Sequence, residues 1–321
     1  MNDRRTVEME ESFSGEIRSY TVGSEIAGQR LDRYLSDREP EISRSYLQKL
    51  IREGNVLLDG KPAKAGAKLS CGVEIELMLP EAKEPEILPE KLPLDILYED
   101  SDVILINKPK GMVVHPSAGH YTGTLVNGLL CHCRGELSGI NGVLRPGIVH
   151  RIDKDTTGVL IACKNDRAHN SLAEQLKAHT ITRRYRAIVC GNLKEDEGRI
   201  DAPIGRHPIE RKKMAVVRTG GKHAVTHYRV LERFGAYTYI ECRLETGRTH
   251  QIRVHMASIG HPLLGDEVYG RGKNPFHLEG QTLHAMVLGF VHPSTGEYME
   301  FEAPLPEYFE ELLRKLRQGT R

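Results

Sequence analysis

The run His150-Arg151-Ile152-Asp153-Lys154-Asp155-Thr156-Thr157-Gly158 places a carboxylate, a guanidinium and turn-forming residues in consecutive positions. Pro146 and Gly147 precede it and the apolar run Val159 to Ala162 follows, so it reads as a loop entering a strand. A carboxylate beside an arginine stays ionised where water is excluded, which suits covalent or electrostatic catalysis. Taken alone, the commoner meaning of such a loop is blander: Asp153 caps a turn and Arg151 pairs with it on the surface.

A reacting loop needs a rigid support. Residues 103–106, 185–189, 224–231 and 237–244 alternate or run apolar as strands, with Phe234-Gly235 turning the last two into a hairpin. Residues 165–179 show helical spacing, Thr249 is placed to cap a helix reaching residue 258, and 288–291, 299–302 and 308–316 read as two strands and a closing helix. Strands outnumber helices and seldom alternate with them. That argues for an α+β fold with a mixed, mainly antiparallel sheet flanked by helices, not a Rossmann arrangement. Upstream, 29–35 and 43–52 carry apolar residues at helical spacing, with Ser43 as N-cap and Gly54 as the stop. Residues 56–58 and 73–79 read as strands separated by the Asp59-Gly60 turn, completing a small α+β module.

A chain of 321 residues accommodates about two domains. The expected boundaries are a disordered tail over 1–14, the small module over 15–80, a stiff, solvated, acidic and proline-rich linker over 81–93, and the larger domain over 94–321. No apolar stretch approaches membrane-spanning length and the first residues are charged, so a cytoplasmic location is expected. The six cysteines lie mostly in apolar runs, as reduced thiols do. Cys131-His132-Cys133 has no second ligand pair at zinc-like spacing, so no metal site is expected. Net charge is +1, but basic residues gather around 44–52, 183–186 and 206–222, and acids at the start, 81–90 and 307–311. Such segregation suits a polyanion held on one face. Without tryptophan, base stacking falls to tyrosine, phenylalanine, histidine or arginine.

Four separated segments then acquire a joint meaning. Asn107-Lys108-Pro109-Lys110-Gly111 continuing to His115-Pro116, the His150 run, Arg184-Tyr185, and Glu245-Thr246-Gly247-Arg248-Thr249-His250-Gln251-Ile252-Arg253 together resemble the RluA-type pseudouridine synthases in order and spacing. The resemblance extends over about 94–306, including Leu288-Gly289-Phe290-Val291-His292-Pro293 and Ala303-Pro304-Leu305-Pro306. The first module resembles the RNA-binding domain of the ribosomal protein S-four type through Arg30-Leu31-Asp32, Arg44, 47–51, Gly54, Val56 and Asp59-Gly60. With Ile204-Gly205-Arg206-His207-Pro208 and Lys213-Met214-Ala215-Val216, the combination is similar to the branch that modifies large-subunit ribosomal RNA. Ile152 stands where leucine is usual and Thr157 where serine is frequent, both near-isosteric departures.

The reaction this resemblance implies breaks the bond between ribose and uracil N1, rotates the base and rejoins it through C5. It needs a carboxylate, a group that takes the C5 proton, and a closed site that retains free uracil. No cofactor is called for. By the resemblance, Asp153 is the carboxylate, whether it attacks the sugar, attacks the ring or takes a sugar proton. Arg248 is the active-site arginine, expected to keep Asp153 ionised through a charge-assisted fork. Tyr185 is expected to stack on uracil with its hydroxyl near the C5 proton. Arg151 is expected to enter the RNA as the target nucleotide leaves the stack. His115, His150 and His250 are expected to orient loops or contact phosphate. Arg44, Lys49 and Arg52 are spaced to share a helix face and track phosphate. Arg206, Arg211, Lys212 and Lys213, beside Pro208 and Gly220-Gly221, form a second basic segment, equally a loop closing on RNA or a solvated charged loop.

The resulting expectation is an RNA uridine-to-pseudouridine isomerase, a monomer by default, with RNA as its partner and large-subunit ribosomal RNA favoured. A transfer RNA pseudouridine synthase, a non-catalytic ribosome-assembly factor on the same scaffold and a base-releasing nucleosidase are the alternatives.

Overall fold

The structure is a computed structural model that describes residues 15–80, 87–117, 120–140, 142, 145–210, 213–270 and 274–319. The chain divides into two units, Met1–Glu84 and Pro85–Arg321. The expected tail lies outside the described residues, as do 81–86 of the expected linker.

The first unit contains β1 (Gly15–Thr21), α1 (Leu31–Arg38), α2 (Arg44–Arg52), β2 (Val56–Leu58), β3 (Lys61–Pro62) and β4 (Glu74–Pro80). Its sheet runs β1-β4-β2-β3, antiparallel throughout. Ser43 caps α2 as expected, its hydroxyl accepting from Tyr46 N–H. The stripe Leu47, Leu50 and Ile51 then packs with Leu31 and Leu35 against Val56, Ile75 and Leu77. Burying each such side chain contributes about 1.5–3 kcal/mol. Strand β1 was not foreseen, because Glu16, Arg18 and Ser19 break up its apolar pattern at the sheet edge.

The second unit carries β5 (Ile96–Glu99), β6 (Val103–Lys108), α3 (Leu125–Cys133), β7 (Thr157–Cys163), α4 (Asp166–Lys177), β8 (Thr182–Cys190), β9 (Glu197–Asp201), β10 (Ile204–Arg206) and β11 (Met214–Val216). After them come β12 (Val225–Arg233), β13 (Tyr237–Leu244), α5 (Gln251–Ser258), β14 (Leu283–Val291), β15 (Tyr298–Glu302) and α6 (Glu307–Gly319). The large sheet runs β5-β6-β7-β14-β8-β13-β12-β9, with β15 beside β14. Among the described residues only β7 and β14 pair in parallel, so the mainly antiparallel mixed sheet is as expected. Ile252 and Met256 of α5 join Tyr185, Ile240 and Cys242 in the principal core. Phe309, Leu312, Leu313 and Leu316 of α6 gather with Ile188 and Tyr239 in a separate cluster.

Two expectations change here. Residues 87–93 are not a solvated linker: Ile87 is buried, Asn127 Nδ2 donates to Leu88 O at 2.8 Å, and Glu90 N–H donates to Asn127 O at 2.9 Å. The Glu90 carboxylate also accepts from Gly123 N–H at 3.0 Å, an anchoring role that the acidic, proline-rich composition conceals. Thr249 does not cap α5 either. His250 occupies the N-cap position in a left-handed conformation, φ 57°, and makes no side-chain cap bond.

The sheet sets the site at one end of β6 and β7. Lys108 pairs with Gly158 in their antiparallel ladder, so the segment after β6 and the His150 run before β7 emerge side by side. At the far end of β6, Asp100, Asp102 and His292 converge. Their polar atoms are engaged by Tyr98, Asn165, Arg167, Ser294 and backbone N–H groups, so they bind the strand ends together. Gly158 is indispensable where β7 meets β14: its φ is 107°, and a Cβ there would lie 2.1 Å from Ala285 O. Gly158→Ala is therefore expected to lower stability by about 3 kcal/mol or more. A urea midpoint equal to the parent's would contradict this close approach. Among the described residues, no helix is long and apolar enough to cross a membrane.

Candidate active site

The Asp153 loop is tied down before any acid chemistry is considered. Thr156 N–H donates to Asp153 O at 3.1 Å, closing the turn, and Gln281 Nε2 donates to Thr156 Oγ1 at 3.1 Å. Beneath it, Lys108 is fully buried and its Nζ donates to Pro109 O, Met112 O and Lys154 O at 2.8, 2.9 and 2.9 Å. Burial pushes this ammonium down to about 7, with the Asp155 and Asp153 charges opposing. Gly111 N–H also donates to Lys154 O, so the two loops form one framework.

Asp153 has a partner, and it is not Arg248. Arg253 NH1 donates to Asp153 Oδ2 at 3.0 Å, while Arg253 Nε and NH2 grip both oxygens of Asp266 at 2.7 and 2.9 Å. Burial opposes the Arg253 charge, yet its bonds and charges with Asp266 and Asp153 raise its pKa above the ordinary value. Arg248 instead donates from Nε to His223 O at 3.0 Å, and its N–H bonds Gln251 Oε1. The arginine that holds Asp153 is therefore five residues later, inside α5, and reaches the acid through one bond while its fork grips Asp266. Gly247, beside Arg248, serves another neighbour: a Cβ there would meet Arg183 NH1 at 2.6 Å. A signal for Arg253 was present. It stands in a helix between Ile252 and Val254, and an arginine buried there requires carboxylates.

Tyr185 sits on β8 between β13 and β14 and is 8% exposed. Burial raises its hydroxyl pKa; Arg183 opposes and Asp153 adds to the rise, so the phenol stays protonated at neutral pH. Tyr185 and Asp153 line one cleft of about 500 Å³ with Arg151, Arg183, Arg248 and His250. That volume falls within the range of small-ligand sites.

His250 joins the acid from the other side. Tyr269 Oη accepts from Met214 N–H at 2.9 Å, which leaves its own proton for His250 Nδ1 at 2.7 Å. The neutral ring then carries its proton on Nε2, 3.8 Å from Asp153 Oδ1. Burial lowers the His250 pKa, with the Asp153 charge opposing. Lys108 and Arg253 stood in the motif segments without a role, and Asp266 and Tyr269 were not singled out from the sequence, although Lys108 supports the Asp153 loop, Arg253 holds the acid, and the other two fix Arg253 and His250.

Arg151 is exposed at the cleft, with NH1 donating to His115 Nε2 at 3.4 Å. His115 is 4% exposed, and burial, then Arg151 and Arg145, push it down from 6.5 to about 4. Between those values the unfolded chain holds more protons than the folded one, so stability is lost as pH falls from 6.5 toward 4. The slope from this group approaches about 1.4 kcal/mol per pH unit. His115→Asn retains an acceptor for Arg151 and is expected to flatten that part of the curve. Urea titrations with equal acid slopes in parent and variant would remove His115 as the cause.

The expected RNA-contacting residues are placed unevenly. Arg44 donates to buried Asp32 at 2.8 Å, alongside Arg30 and Gln48. Lys49 lies 3.8 Å from Glu53 and Arg52 is exposed. At about 100° per residue, Arg52 lies between Arg44 and Lys49, which stand about 140° apart, so the three spread over one broad side of α2 with Arg44 drawn to Asp32. Arg206 ends β10, and Lys213, just before β11, pairs with Glu210 at 2.7 Å. Arg211 and Lys212 lie outside the described residues.

The family model for RNA pseudouridylate synthase matches residues 102–258, and that for the S4 domain matches 29–75. The chain is 54% identical over 299 residues to an uncharacterized RNA pseudouridine synthase of Bacillus subtilis, covering 93% of this chain and 98% of the relative. It is 49% identical over 315 residues to ribosomal large subunit pseudouridine synthase D of Zymomonas mobilis, covering 94% and 98%. Among solved structures, human RNA pseudouridylate synthase domain containing 1 superposes with a TM-score of 0.56 at 26% identity, covering 71% of this chain and 96% of that one. Identity near one half over almost the full length, on a sheet that brings the separated motifs to one cleft, shows that the chain belongs to the RNA pseudouridylate synthase family, enzymes that isomerise uridine in RNA.

Proposed function

We propose that this enzyme converts specific uridines of large-subunit ribosomal RNA to pseudouridine, with Asp153 as the reacting carboxylate. The observation that carries the chemical part is the Asp153–Arg253–Asp266 chain opening on the cleft that Tyr185 lines. Arg253 pairs with the carboxylate and aims it through a charge-assisted bond. Tyr185 offers a ring for the extruded uracil and a protonated hydroxyl beside it. Arg151, exposed at the mouth, is positioned to take the place of the departing nucleotide. Support for the RNA class comes from the Zymomonas mobilis relative, named for the ribosomal large subunit, and from the matched S4 domain.

Carbodiimide mapping of pseudouridine across stable RNAs, in cells with and without this protein, tests the reading. Sites in large-subunit ribosomal RNA should disappear with the protein and return when purified enzyme is added. Loss confined to transfer RNA would redirect the substrate, and release of free uracil would replace isomerisation by hydrolysis. Removing residues 1–80 is expected to weaken RNA binding while the cleft of the second unit persists.

A further inference from the structure

Arg183 stands two residues before Tyr185 on β8 and shares its inward face, so both side chains reach the cleft. Its side chain is nine-tenths buried. NH2 donates to Glu245 O at 3.0 Å, whereas Nε is sealed from solvent with no hydrogen-bond partner. The nearby Glu245 carboxylate is engaged by His227, so only its backbone meets Arg183. Among the described residues, neither Arg183 nor Arg248 has a carboxylate within ion-pairing distance. Arg253, in the same cleft, has two.

A buried guanidinium without a counter-charge is unfavourable unless something else supplies one. Burial lowers the Arg183 pKa and the Arg248 charge adds to the lowering, which fits a site waiting for an anion. Gly247 keeps the space open, since a Cβ would meet Arg183 NH1 at 2.6 Å. Two residues along a strand span about 6.6 Å. An anion held by Arg183 therefore lies beside a base stacked on Tyr185, not in its place. Planar forks of N–H donors suit phosphate oxygens.

We propose that Arg183, with Arg248 beside it, forms a phosphate subsite that takes a phosphodiester of the RNA strand adjoining the nucleotide presented to Asp153. The inference rests on the RNA-modifying reading of this cleft. It gives Arg248 a role that its distance from the acid had removed, and it makes Arg183 a binding residue instead of a mere tie to the Glu245 carbonyl.

Salt dependence of RNA binding tests the subsite. With full-length protein and a large-subunit ribosomal RNA transcript, Arg183→Gln should raise Kd about tenfold and reduce the slope of log Kd against log salt by about 0.7, one phosphate contact to a single strand. Arg183→Lys, which retains the charge, should keep most of the slope. The loss should appear in KM more than in kcat. Arg248→Gln alters a half-exposed residue and should also reduce the slope, so it decides the matter if Arg183→Gln fails to fold by its melting curve. Parental slopes in the folded variants would overturn the subsite. So would a fall in kcat with Kd and slope intact, the result expected of a residue that only positions the loop. Binding is read without turnover. A parent enzyme that binds RNA but forms no pseudouridine would sink the functional reading while leaving the slopes to judge the subsite.

Discussion

Asp153→Asn is expected to lower pseudouridine formation by about a thousandfold or more while leaving the folded protein almost as stable as its parent. The substitution keeps the shape of the side chain and an oxygen facing Arg253 NH1, and removes only the charge. Asp153 is 19% exposed at the side chain, and its ladder of supports, from Lys108 to Thr156, reaches the backbone and not the carboxylate. Arg253 retains both bonds to Asp266, so no buried cation is stranded. Stability should therefore change by about 1 kcal/mol at most. Tritium release from RNA carrying 5-tritiated uridine measures the chemical loss and a thermal melt measures the fold. Turnover within tenfold of the parent would take Asp153 out of the reaction.

The sequence made the sheet legible because its strands are apolar enough to mark themselves. Residues 237–244 are matched to the residue by β13, and the predicted 103–106 and 185–189 fall inside β6 and β8. What it concealed follows a physical pattern. The β1 edge strand has five of its seven residues exposed, and 87–93 is anchored largely by bonds to its backbone, so neither carries a strong apolar rhythm. Helix α3 went unread although Thr124 and Asn127 form a capping box, since its neighbourhood of glycines and Cys131-His132-Cys133 invited other meanings.

The site divides in the same way. The residues given roles from the His150 run and Tyr185 were placed at the site: Asp153, Tyr185 and Arg151 all line the cleft. Residues that act through folding were missed. Lys108 works by donating to carbonyls, which no side-chain pattern records, and Asp266 becomes meaningful only when α5 turns Arg253 toward it. Choosing between Arg248 and Arg253 depended on where α5 begins. The helix starts at Gln251, with left-handed His250 before it, and that start directs Arg253 inward.

Arg253→Ala is expected to remove activity and stability together, which separates it from every other change at the cleft. Asp266 is fully buried at its side chain and would lose three of its contacts' strength at once: the Nε bond, the NH2 bond and the compensating charge. Backbone N–H groups of Val268 and Tyr269 still donate to Oδ1, so the carboxylate is not wholly orphaned. A stranded buried charge of this kind costs about 3–5 kcal/mol, which for this size lowers the melting temperature by about 10 °C. Arg253→Lys should recover part of that stability without activity, because an ammonium cannot supply the planar fork that bridges Asp266 to Asp153. Activity should fall as far as in Asp153→Asn, and the double variant should fall no further, since the two residues act as a unit. Arg248→Ala is the control that separates the two arginines. It should leave the melting temperature within about 2 °C of the parent and harm RNA binding more than chemistry. If Arg248→Ala instead abolished turnover at saturating RNA while Arg253→Ala kept it, the arginine that holds Asp153 in this structure would not be the one that serves the reaction.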